Sequence, residues 1–287
     1  MRDNRTMRML RLAEGGNYGV PCVNCYNFEA VMATKRAAEK KKSPAIIEVF
    51  PWSMKQFGDH FIRMCADVVH NSTVPLALHL DHAQEEDMIE MAIESGLFDS
   101  IMVDMSVHSE DKNIELTRKW VKKALEKKIA VEAELGRIDG GEDGIANTQK
   151  LEAVMTKPEE AAHYVRKTGV QMLAPSIGNI HGDYGSEGPR ATIDLRILKK
   201  VSQTLKAEGI PVVLHGTNDF DAELFRECVA NGARKINVNK VVAQDYYKYT
   251  EENFGKKELT KVIEEGIDKF QASVEACMDA LGSSGRG

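Results

Sequence analysis

Short apolar runs alternate with longer amphipathic stretches along most of the chain. Six stretches carry apolar residues at helical spacing, residues 28–41, 85–95, 113–127, 157–167, 194–207 and 221–230. Eight runs have the length and composition of buried strands, residues 20–24, 45–50, 76–81, 99–104, 130–135, 171–177, 211–215 and 235–239. Strands that alternate with helices in this way predict a parallel sheet of the α/β class.

Eight such units favour a closed (β/α)8 TIM barrel, with a doubly wound open sheet as the alternative. No linker rich in Pro, Gly or Ser divides the chain, so we predict one domain over residues 1–287. An N-terminal helix is expected within residues 1–18 and a flexible tail at 282–287. The charged, helical stretch 241–281 predicts an additional C-terminal helical segment outside the barrel or against another subunit.

Composition narrows the class of protein. The 287 residues are 43% hydrophobic and 29% charged, which is typical of a soluble globular protein. A net charge of −6 disfavours nonspecific nucleic-acid binding, and no apolar run approaches the roughly 18 residues of a membrane span. The five scattered cysteines indicate reduced thiols and a cytoplasmic location. Cys22 and Cys25 lie inside a predicted strand, so a redox pair is only a minor alternative.

Three histidines stand where predicted strand segments end. The run 74–82 stops on Asp81 and His82, and two later segments end on His181 and His215. A lone histidine beside glycine is often a turn residue, but three imidazoles at strand ends favour a metal site. Three nitrogens with a fourth position open form an incomplete tetrahedral shell, which suits Zn²⁺, Co²⁺, Fe²⁺ or Ni²⁺ better than Mg²⁺.

In a TIM barrel the active site lies at the carboxyl ends of the strands, so polar residues near those ends should converge. The residues concerned are Asn24, Asp81, His82, Asp104, Glu132, Glu134, His181, His215, Asn237 and Asn239. Four other histidines lack this placement and are expected at the surface or in ordinary packing, namely His60, His70, His108 and His163. His79 is expected to be a core histidine rather than a ligand.

Several of these segments resemble the class II, metal-dependent ketose-bisphosphate aldolases, the family of fructose- and tagatose-bisphosphate aldolases. The matching pieces are residues 78–82 (Leu-His-Leu-Asp-His), 131–136 (Val-Glu-Ala-Glu-Leu-Gly), 140–143 (Gly-Gly-Glu-Asp), 177–182 (Ile-Gly-Asn-Ile-His-Gly) and 214–216 (Leu-His-Gly). The resemblance covers nearly the whole chain, from residue 20 to residue 239. It implies cleavage of a ketose phosphate, such as fructose 1,6-bisphosphate, through an enediolate stabilised by zinc.

The resemblance also implies roles for individual residues. The zinc ligands would be His82, His181 and His215. Asp81 would take the proton of the C4 hydroxyl, and Glu142, in a glycine-rich mobile loop, would exchange a proton with the enediolate carbon. Two carboxylates would lie near the metal as supporting groups or alternative ligands, Asp104 and Glu134. The expected substrate-binding residues are Asn24, Gly182, Gly216, Asn218, Asn237, Asn239 and Lys240.

Other expectations follow from the same resemblance. It implies a small sugar phosphate as substrate, one zinc ion per chain, and a monovalent cation such as Na⁺ or K⁺. It also implies a homodimer or homotetramer working in cytoplasmic carbohydrate metabolism such as glycolysis. The charge and hydropathy described above predict no nucleic-acid or membrane partner.

Some positions depart from the pattern of that family, and most of them concern phosphate binding. Gly185 stands where a lysine is usual, and Asn218 and Phe50 replace hydroxyl residues. Strand eight ends on Asn239 and Lys240 instead of an acidic or hydroxyl residue followed by threonine. Lys240 or Arg190 is expected to restore the missing positive charge at the phosphate site.

Three functional hypotheses therefore stay open at the level of the sequence. The first is a zinc-dependent aldolase acting on a ketose phosphate. The second is a metal-dependent barrel lyase or isomerase with a different, non-bisphosphorylated substrate. The third is a metal-containing scaffold without activity, which the intact Asp81 disfavours. Three aromatic residues lie near the strand ends, Phe50, Trp52 and Tyr184. They are expected to plug the barrel mouth or to face a partner subunit. If they line the pocket instead, they would suit a less charged acceptor aldehyde.

Overall fold

The protein is a closed barrel of eight parallel strands. The computed structural model describes residues 1, 3–140 and 153–287. The strands are β1 Val20–Asn24, β2 Ala45–Val49, β3 Leu76–Ala83, β4 Ser100–Val103, β5 Ala130–Leu135, β6 Asp139–Gly140, β7 Met172–Pro175, β8 Ile180–His181, β9 Val212–Leu214 and β10 Ala233–Val238. The barrel order is β1-β10-β9-β7-β5-β4-β3-β2, while β6 and β8 form a separate parallel pair. The predicted TIM barrel is confirmed, because β1 pairs with both β2 and β10 and the sheet has no open edge there.

Helices surround the barrel in the order predicted from the apolar spacing. Their bounds are α1 Arg5–Gly16, α2 Phe28–Lys41, α3 Pro51–Phe57, α4 Asp59–His70, α5 Glu86–Ser95, α6 Glu110–Glu126, α7 Pro158–Thr168, α8 Leu195–Lys206, α9 Ala222–Ala230, α10 Lys240–Asn253 and α11 Leu259–Leu281. The sequence analysis named no helix between the second and third strands. Pro51 opens α3, and Gly58, at φ +58°, separates it from α4, so the helical spacing is interrupted within this stretch.

The N-terminal helix closes one end of the barrel. Asn4 caps α1 by accepting a hydrogen bond from the amide of Met7 (3.0 Å). Met9 and Leu10 are buried on this helix and pack with apolar residues from the amino-terminal halves of the strands, Val20, Ile46, Ala77, Ala130, Met172 and Val213. Because this end is filled by apolar side chains, the polar residues collect in the middle of the barrel and at its opposite end.

The C-terminal helices lie outside the barrel. Helix α11 packs against α2 and α10, and ion pairs join Lys40 to Glu275 (2.9 Å) and Lys41 to Asp279 (2.6 Å). Residues 282–287, for which the composition predicts flexibility, are bonded to the end of α2, where Gly287 donates to the carbonyl of Lys42 (2.7 Å). None of the helices described here has the length and apolar character needed to cross a bilayer.

Candidate active site

The structure brings the three predicted histidines together at the carboxyl end of the barrel. His82 lies near the end of β3, His181 ends β8, and His215 directly follows β9. All three are buried, and each offers a ring nitrogen within 4.8 Å of the others. The sequence predicted His181 at the end of a barrel strand, but it does not lie on one. It lies on the short strand β8, which pairs with β6.

A bulge in β3 lets two consecutive residues face this site. Neighbouring residues in a regular strand point to opposite faces, so Asp81 and His82 would be separated. Between Leu80 and Ala83, however, the register against β4 shifts by one residue, and His82 adopts a positive φ of 39°. Both side chains are consequently buried in the same place, with Asp81 Oδ1 3.9 Å from His82 Nε2.

Carboxylates fix which nitrogen of two histidines carries a proton. Asp104 Oδ2 accepts from His82 Nδ1 (3.0 Å), and Glu132 Oε1 accepts from His215 Nε2 (2.8 Å). In their neutral forms, the other nitrogens of both rings are then lone-pair acceptors, and these face each other at 2.9 Å. Two facing lone pairs repel unless a cation or a proton lies with them.

His181 adds a third nitrogen to the same space. Its Nε2 is buried with no hydrogen-bond partner among the described residues, which is costly for a polar atom unless something binds there. Three imidazole nitrogens are a donor set suited to zinc and similar transition metals. These residues therefore fit a metal ion.

The charges around the histidines favour a cation. Burial opposes a charged imidazole, but Asp81 and Asp104 raise the pKa of His82 well above its ordinary value. Burial, followed by the charge of His82, lowers the pKa values of His181 and His215 well below the usual range. Two of the three rings are thus held neutral, which is the form that ligates metals.

Asp104 and Glu134 form a second group around His82. Burial and the charge of Asp104 raise the pKa of Glu134 to about 8. The pKa of Asp104 is lowered despite its burial, because His82, Gln84 and Ser106 donate hydrogen bonds to it. Glu134 Oε1 accepts from the amide of Ile138 (2.9 Å), and its Oε2 is buried without a hydrogen-bond partner in the described part of the chain. One carboxyl group with an unused oxygen therefore lies beside the candidate metal ligands.

Asp81 is oriented by a chain of polar contacts. Its Oδ1 accepts from Asn237 Nδ2 (3.1 Å), and Asn237 Oδ1 accepts from Lys235 Nζ (2.6 Å). Lys235 also contacts Glu48 Oε1 (3.1 Å) and Glu132 Oε2 (3.0 Å) inside the barrel. Glu132 was predicted at the barrel mouth but lies inside the barrel, and Glu48 and Lys235 were not among the predicted functional residues.

A signal for these residues was present in the sequence. Glu132 precedes Glu134 by two positions, and Lys235 precedes Asn237 by two, so each pair shares one face of its strand. His79 precedes Asp81 in the same way and is fully buried, with Nδ1 2.8 Å from Ser100 Oγ. The period of two could have placed all of them inside the barrel below the strand ends.

The predicted substrate-binding residues cluster where three loops meet. Asn218 Oδ1 accepts from the amide of Lys240 (3.2 Å), and its Nδ2 donates to the carbonyl of Gly182 (3.4 Å). Gly216, at φ +65°, allows close packing, since a Cβ there would lie 2.6 Å from the carbonyl oxygen of Ile180. At the barrel mouth, Asn239 Nδ2 donates to Tyr26 Oη (3.1 Å).

The other residues singled out from the sequence differ in where the structure places them. Asn24 is buried at the end of β1, and none of the described residues hydrogen-bonds to its Oδ1. Arg190 does not supply a free charge, because it pairs with three carboxylates, Asp221, Glu223 and Glu227. Glu142 lies outside the described residues, so its predicted place in the site stays a prediction. The four histidines predicted to lie elsewhere are exposed, His60, His70, His108 and His163.

Aromatic rings extend from the histidines to the surface. The Phe50 ring stacks on His82 with centroids 6.2 Å apart, and Tyr26 stacks on Phe50 at 5.8 Å. Trp52 meets Tyr26 edge-on and is 43% exposed. Tyr184 has a different place, because its hydroxyl donates to the carbonyl of Gly216 (2.5 Å) and accepts from the amide of Ile180 (2.9 Å). We call the row of Tyr26, Phe50 and Trp52 the aromatic wall.

Comparisons with known proteins agree with this geometry. Residues 4–286 match the family described as "Fructose-bisphosphate aldolase class-II". A fructose-bisphosphate aldolase from Streptococcus pneumoniae is 36% identical over 299 residues, covering 97% of both chains. The crystal structure of an aldolase-like protein from Coccidioides immitis has a TM-score of 0.95 and 40% identity, with 100% of this chain and 99% of that chain covered.

A second solved structure, the YdjI aldolase from Escherichia coli K12, has a TM-score of 0.85 and 27% identity, with 98% of each chain covered. The family match and the similarity to aldolases both extend over nearly the full length of the chain. The chain therefore belongs to the class II fructose-bisphosphate aldolase family of lyases.

Proposed function

We propose that this protein is a zinc-dependent aldolase that cleaves a ketose bisphosphate, such as fructose 1,6-bisphosphate, to dihydroxyacetone phosphate and glyceraldehyde 3-phosphate. The observation that carries the proposal is the convergence of three buried imidazole nitrogens beside the carboxylate of Asp81. His82, His181 and His215 would hold the ion. When bound, zinc would supply a Lewis acid for the carbonyl oxygen of the ketose.

Asp81 is the proposed base in the cleavage direction. Its carboxylate would accept the proton of the C4 hydroxyl as the C3–C4 bond breaks and C4 becomes an aldehyde carbon. The electrons of the broken bond pass towards the ketose carbonyl. The hydrogen bond from Asn237 Nδ2 restrains the Asp81 carboxylate, so it does not have to be ordered when substrate binds.

Two further carboxylates have proposed roles. Glu142 would donate a proton to C3 of the three-carbon fragment, which completes dihydroxyacetone phosphate, and the family resemblance alone supports this role. Asp104 would hold His82 with Nδ1 protonated and Nε2 free. Glu134, whose Oε2 is unused, would serve as an alternative ligand or as a supporting group.

Substrate phosphate and hydroxyl groups would bind where the loops after β8, β9 and β10 meet. Gly182 supports this placement, because none of the described atoms lies within 4 Å of the position that a Cβ would take there, which leaves room for a ligand. The other residues proposed here are Asn24, Gly216, Asn218, Asn237, Asn239 and Lys240, with a monovalent cation as a further occupant. We also propose that the protein is a homodimer or homotetramer and that it acts in cytoplasmic carbohydrate metabolism.

The aromatic wall favours a second candidate for the substrate. Phe50 replaces a hydroxyl residue beside the candidate metal ligands, and its face continues through Tyr26 to Trp52. An apolar surface suits an aldehyde fragment without phosphate better than glyceraldehyde 3-phosphate. The alternative substrate is therefore a ketose 1-phosphate, or another non-bisphosphorylated compound, handled by the same metal and base.

A retro-aldol assay tests both candidates. Zinc-loaded protein would be given fructose 1,6-bisphosphate, tagatose 1,6-bisphosphate and fructose 1-phosphate in parallel, before and after treatment with EDTA. We expect cleavage that EDTA abolishes and zinc restores. Preferred cleavage of fructose 1-phosphate would select the second candidate. Protein that binds about one zinc per chain but cleaves none of the three would contradict the assignment of a ketose phosphate.

A further inference from the structure

A layer of ionisable side chains lies inside the barrel, beneath the histidines, and the proposed reaction does not use it. Its members come from four different strands and are fully buried, Glu48 on β2, His79 on β3, Glu132 on β5 and Lys235 on β10. Buried charges of this kind are rare unless they are paired. The layer therefore needs an explanation beyond packing.

Lys235 is the cation of this layer, and its ammonium group lies close to three oxygen atoms. Its Nζ lies 3.1 Å from Glu48 Oε1, 3.0 Å from Glu132 Oε2 and 2.6 Å from Asn237 Oδ1. It donates hydrogen bonds to Glu48 and Asn237 and forms an ion pair with Glu132. An ammonium group only donates, so each of these oxygens is drawn towards Lys235.

Two of these acceptors extend to the candidate active site. Glu132 uses its second oxygen, Oε1, to accept from His215 Nε2 at 2.8 Å. Asn237 uses its amide nitrogen to donate to Asp81 Oδ1 at 3.1 Å. Because an ammonium only donates, Lys235 draws the carbonyl oxygen of Asn237 towards itself and leaves the NH₂ group to face Asp81.

The same cation lies beside a second group of potential ligands. Glu48, His79 and Asp81 offer ligand atoms within 4.8 Å of one another. The Lys235 ammonium contacts one of them, Glu48, at 3.1 Å. The chain thus carries its own positive charge in this layer.

We propose that Lys235 is a positioning residue that acts on the active site along two branches, through Glu132 to His215 and through Asn237 to Asp81. This inference rests on the proposed function, because it assumes that His215 holds a metal and that Asp81 is the base. In the first branch Lys235 anchors the carboxylate that keeps His215 Nδ1 free for the ion. In the second it sets the orientation of the amide that restrains Asp81.

The experiment measures zinc affinity and steady-state kinetics separately. Zinc dissociation constants would be determined with a chromophoric chelator on Lys235→Met, Glu132→Gln and the double variant. Loss of a residue that orients a ligand weakens metal binding by about 10- to 100-fold, so each single variant should show a loss of this size. The double variant should bind zinc as Glu132→Gln does, since both substitutions break the same branch.

The kinetics separate the second branch from the first. With zinc at saturation, Lys235→Met and the double variant should both have a lower kcat than Glu132→Gln, because only they release Asn237, and KM should change less. Glu48→Gln is the matched control, because Glu48 pairs with Lys235 but makes no described hydrogen bond to His215 or Asp81. It should keep the wild-type zinc affinity and kcat. If the role of Lys235 were purely structural, Lys235→Met would have a lower unfolding temperature but unchanged zinc affinity and kcat.

The outcomes distinguish this inference from the proposed function. Wild-type protein that binds no zinc would overturn both. Wild-type zinc affinity and kcat in folded Lys235→Met would overturn this inference alone. If Lys235→Met does not fold, the double variant, which removes opposite charges together, is compared with Glu132→Gln instead. Zinc affinity equal to that of Glu132→Gln together with a lower kcat supports the two branches, and any other combination contradicts them.

Discussion

Single residues in this site act through the hydrogen bonds that orient them. Asp81 is 1% exposed and is restrained by Asn237, and no described contact makes it necessary for holding the histidines together. A buried carboxylate in this position can be changed to an amide of the same shape with little effect on packing. The proposed role of Asp81 in proton transfer can therefore be tested separately from metal binding.

We predict that Asp81→Asn lowers kcat by about 10²- to 10⁴-fold, which is the usual contribution of a general base. Zinc binding should persist, because the three imidazoles are unchanged. Stopped aldol-cleavage assays and metal analysis measure the two properties on one preparation. Asp111→Asn, on the exposed first turn of α6, is the control. Loss of zinc together with activity in Asp81→Asn would count against a role as base.

The aromatic wall gives a second prediction for a single residue. Phe50→Ser removes the ring that stacks on His82, so the ratio of kcat/KM for fructose 1-phosphate to that for fructose 1,6-bisphosphate should fall. The variant should also lose about 3–5 kcal/mol of stability, because Phe50 is buried. Phe28→Ser, at a 51% exposed ring on the first turn of α2, should leave the ratio unchanged. An unchanged ratio in Phe50→Ser would exclude the wall from substrate selection.

Among the elements, the pair β6 and β8 has the most direct effect on the site. Its two residue pairs hold His181 against the loop that follows β5. Gly140 permits this approach, because it has φ +82° and a Cβ there would lie 2.1 Å from the carbonyl oxygen of His181. Any side chain at residue 140 must push β8 away.

Gly140→Ala should therefore weaken zinc binding by about tenfold or more, since strain of this kind is worth on the order of 1–3 kcal/mol. Chelator competition measures the change. Gly96→Ala is the matched control, because Gly96 also has a positive φ, of 65°, but no atom within 4 Å of its Cβ position. Equal zinc affinity in the two variants would show that the β6–β8 pair does not position His181.

The whole molecule is expected to unfold as one unit that zinc stabilises. The barrel closes through pairing of β1 with β10, and α11 packs against α2, so the two ends of the chain depend on each other. With zinc at about 1,000 times its dissociation constant, binding adds about 4 kcal/mol, which corresponds to a shift on the order of 8 °C. Calorimetry should show a single transition that EDTA moves down by about this amount. Two separate transitions would contradict the prediction of one domain.

The predicted homodimer or homotetramer is also a property of the whole molecule. Large apolar side chains are exposed where α10 meets α11, with Phe254 68% and Leu259 60% exposed. Such side chains are common at subunit interfaces, although single exposed residues also occur in monomers. Light scattering coupled to size exclusion should give the mass of two or four chains at micromolar concentration. The mass of one chain would contradict the prediction.

The sequence by itself determined the barrel and most of the candidate ligands. Alternation of short apolar runs with amphipathic stretches predicts eight strand-helix units, because strand and helix periods are local properties of the chain. The positions of His82 and His215 at strand ends follow from the same local pattern. The polar residues near them could be named because a parallel barrel gathers all of its carboxyl ends at one face.

Only the tertiary structure decided how these residues meet. The bulge that turns both Asp81 and His82 inward depends on the register of β3 against β4. The contacts of Lys235 with Glu48 and Glu132 join residues far apart in sequence, which no local period encodes. Strand pairing and barrel closure place such side chains within hydrogen-bonding distance. The candidate metal ligands and the candidate base could therefore be predicted from the sequence, while their mutual orientation could not.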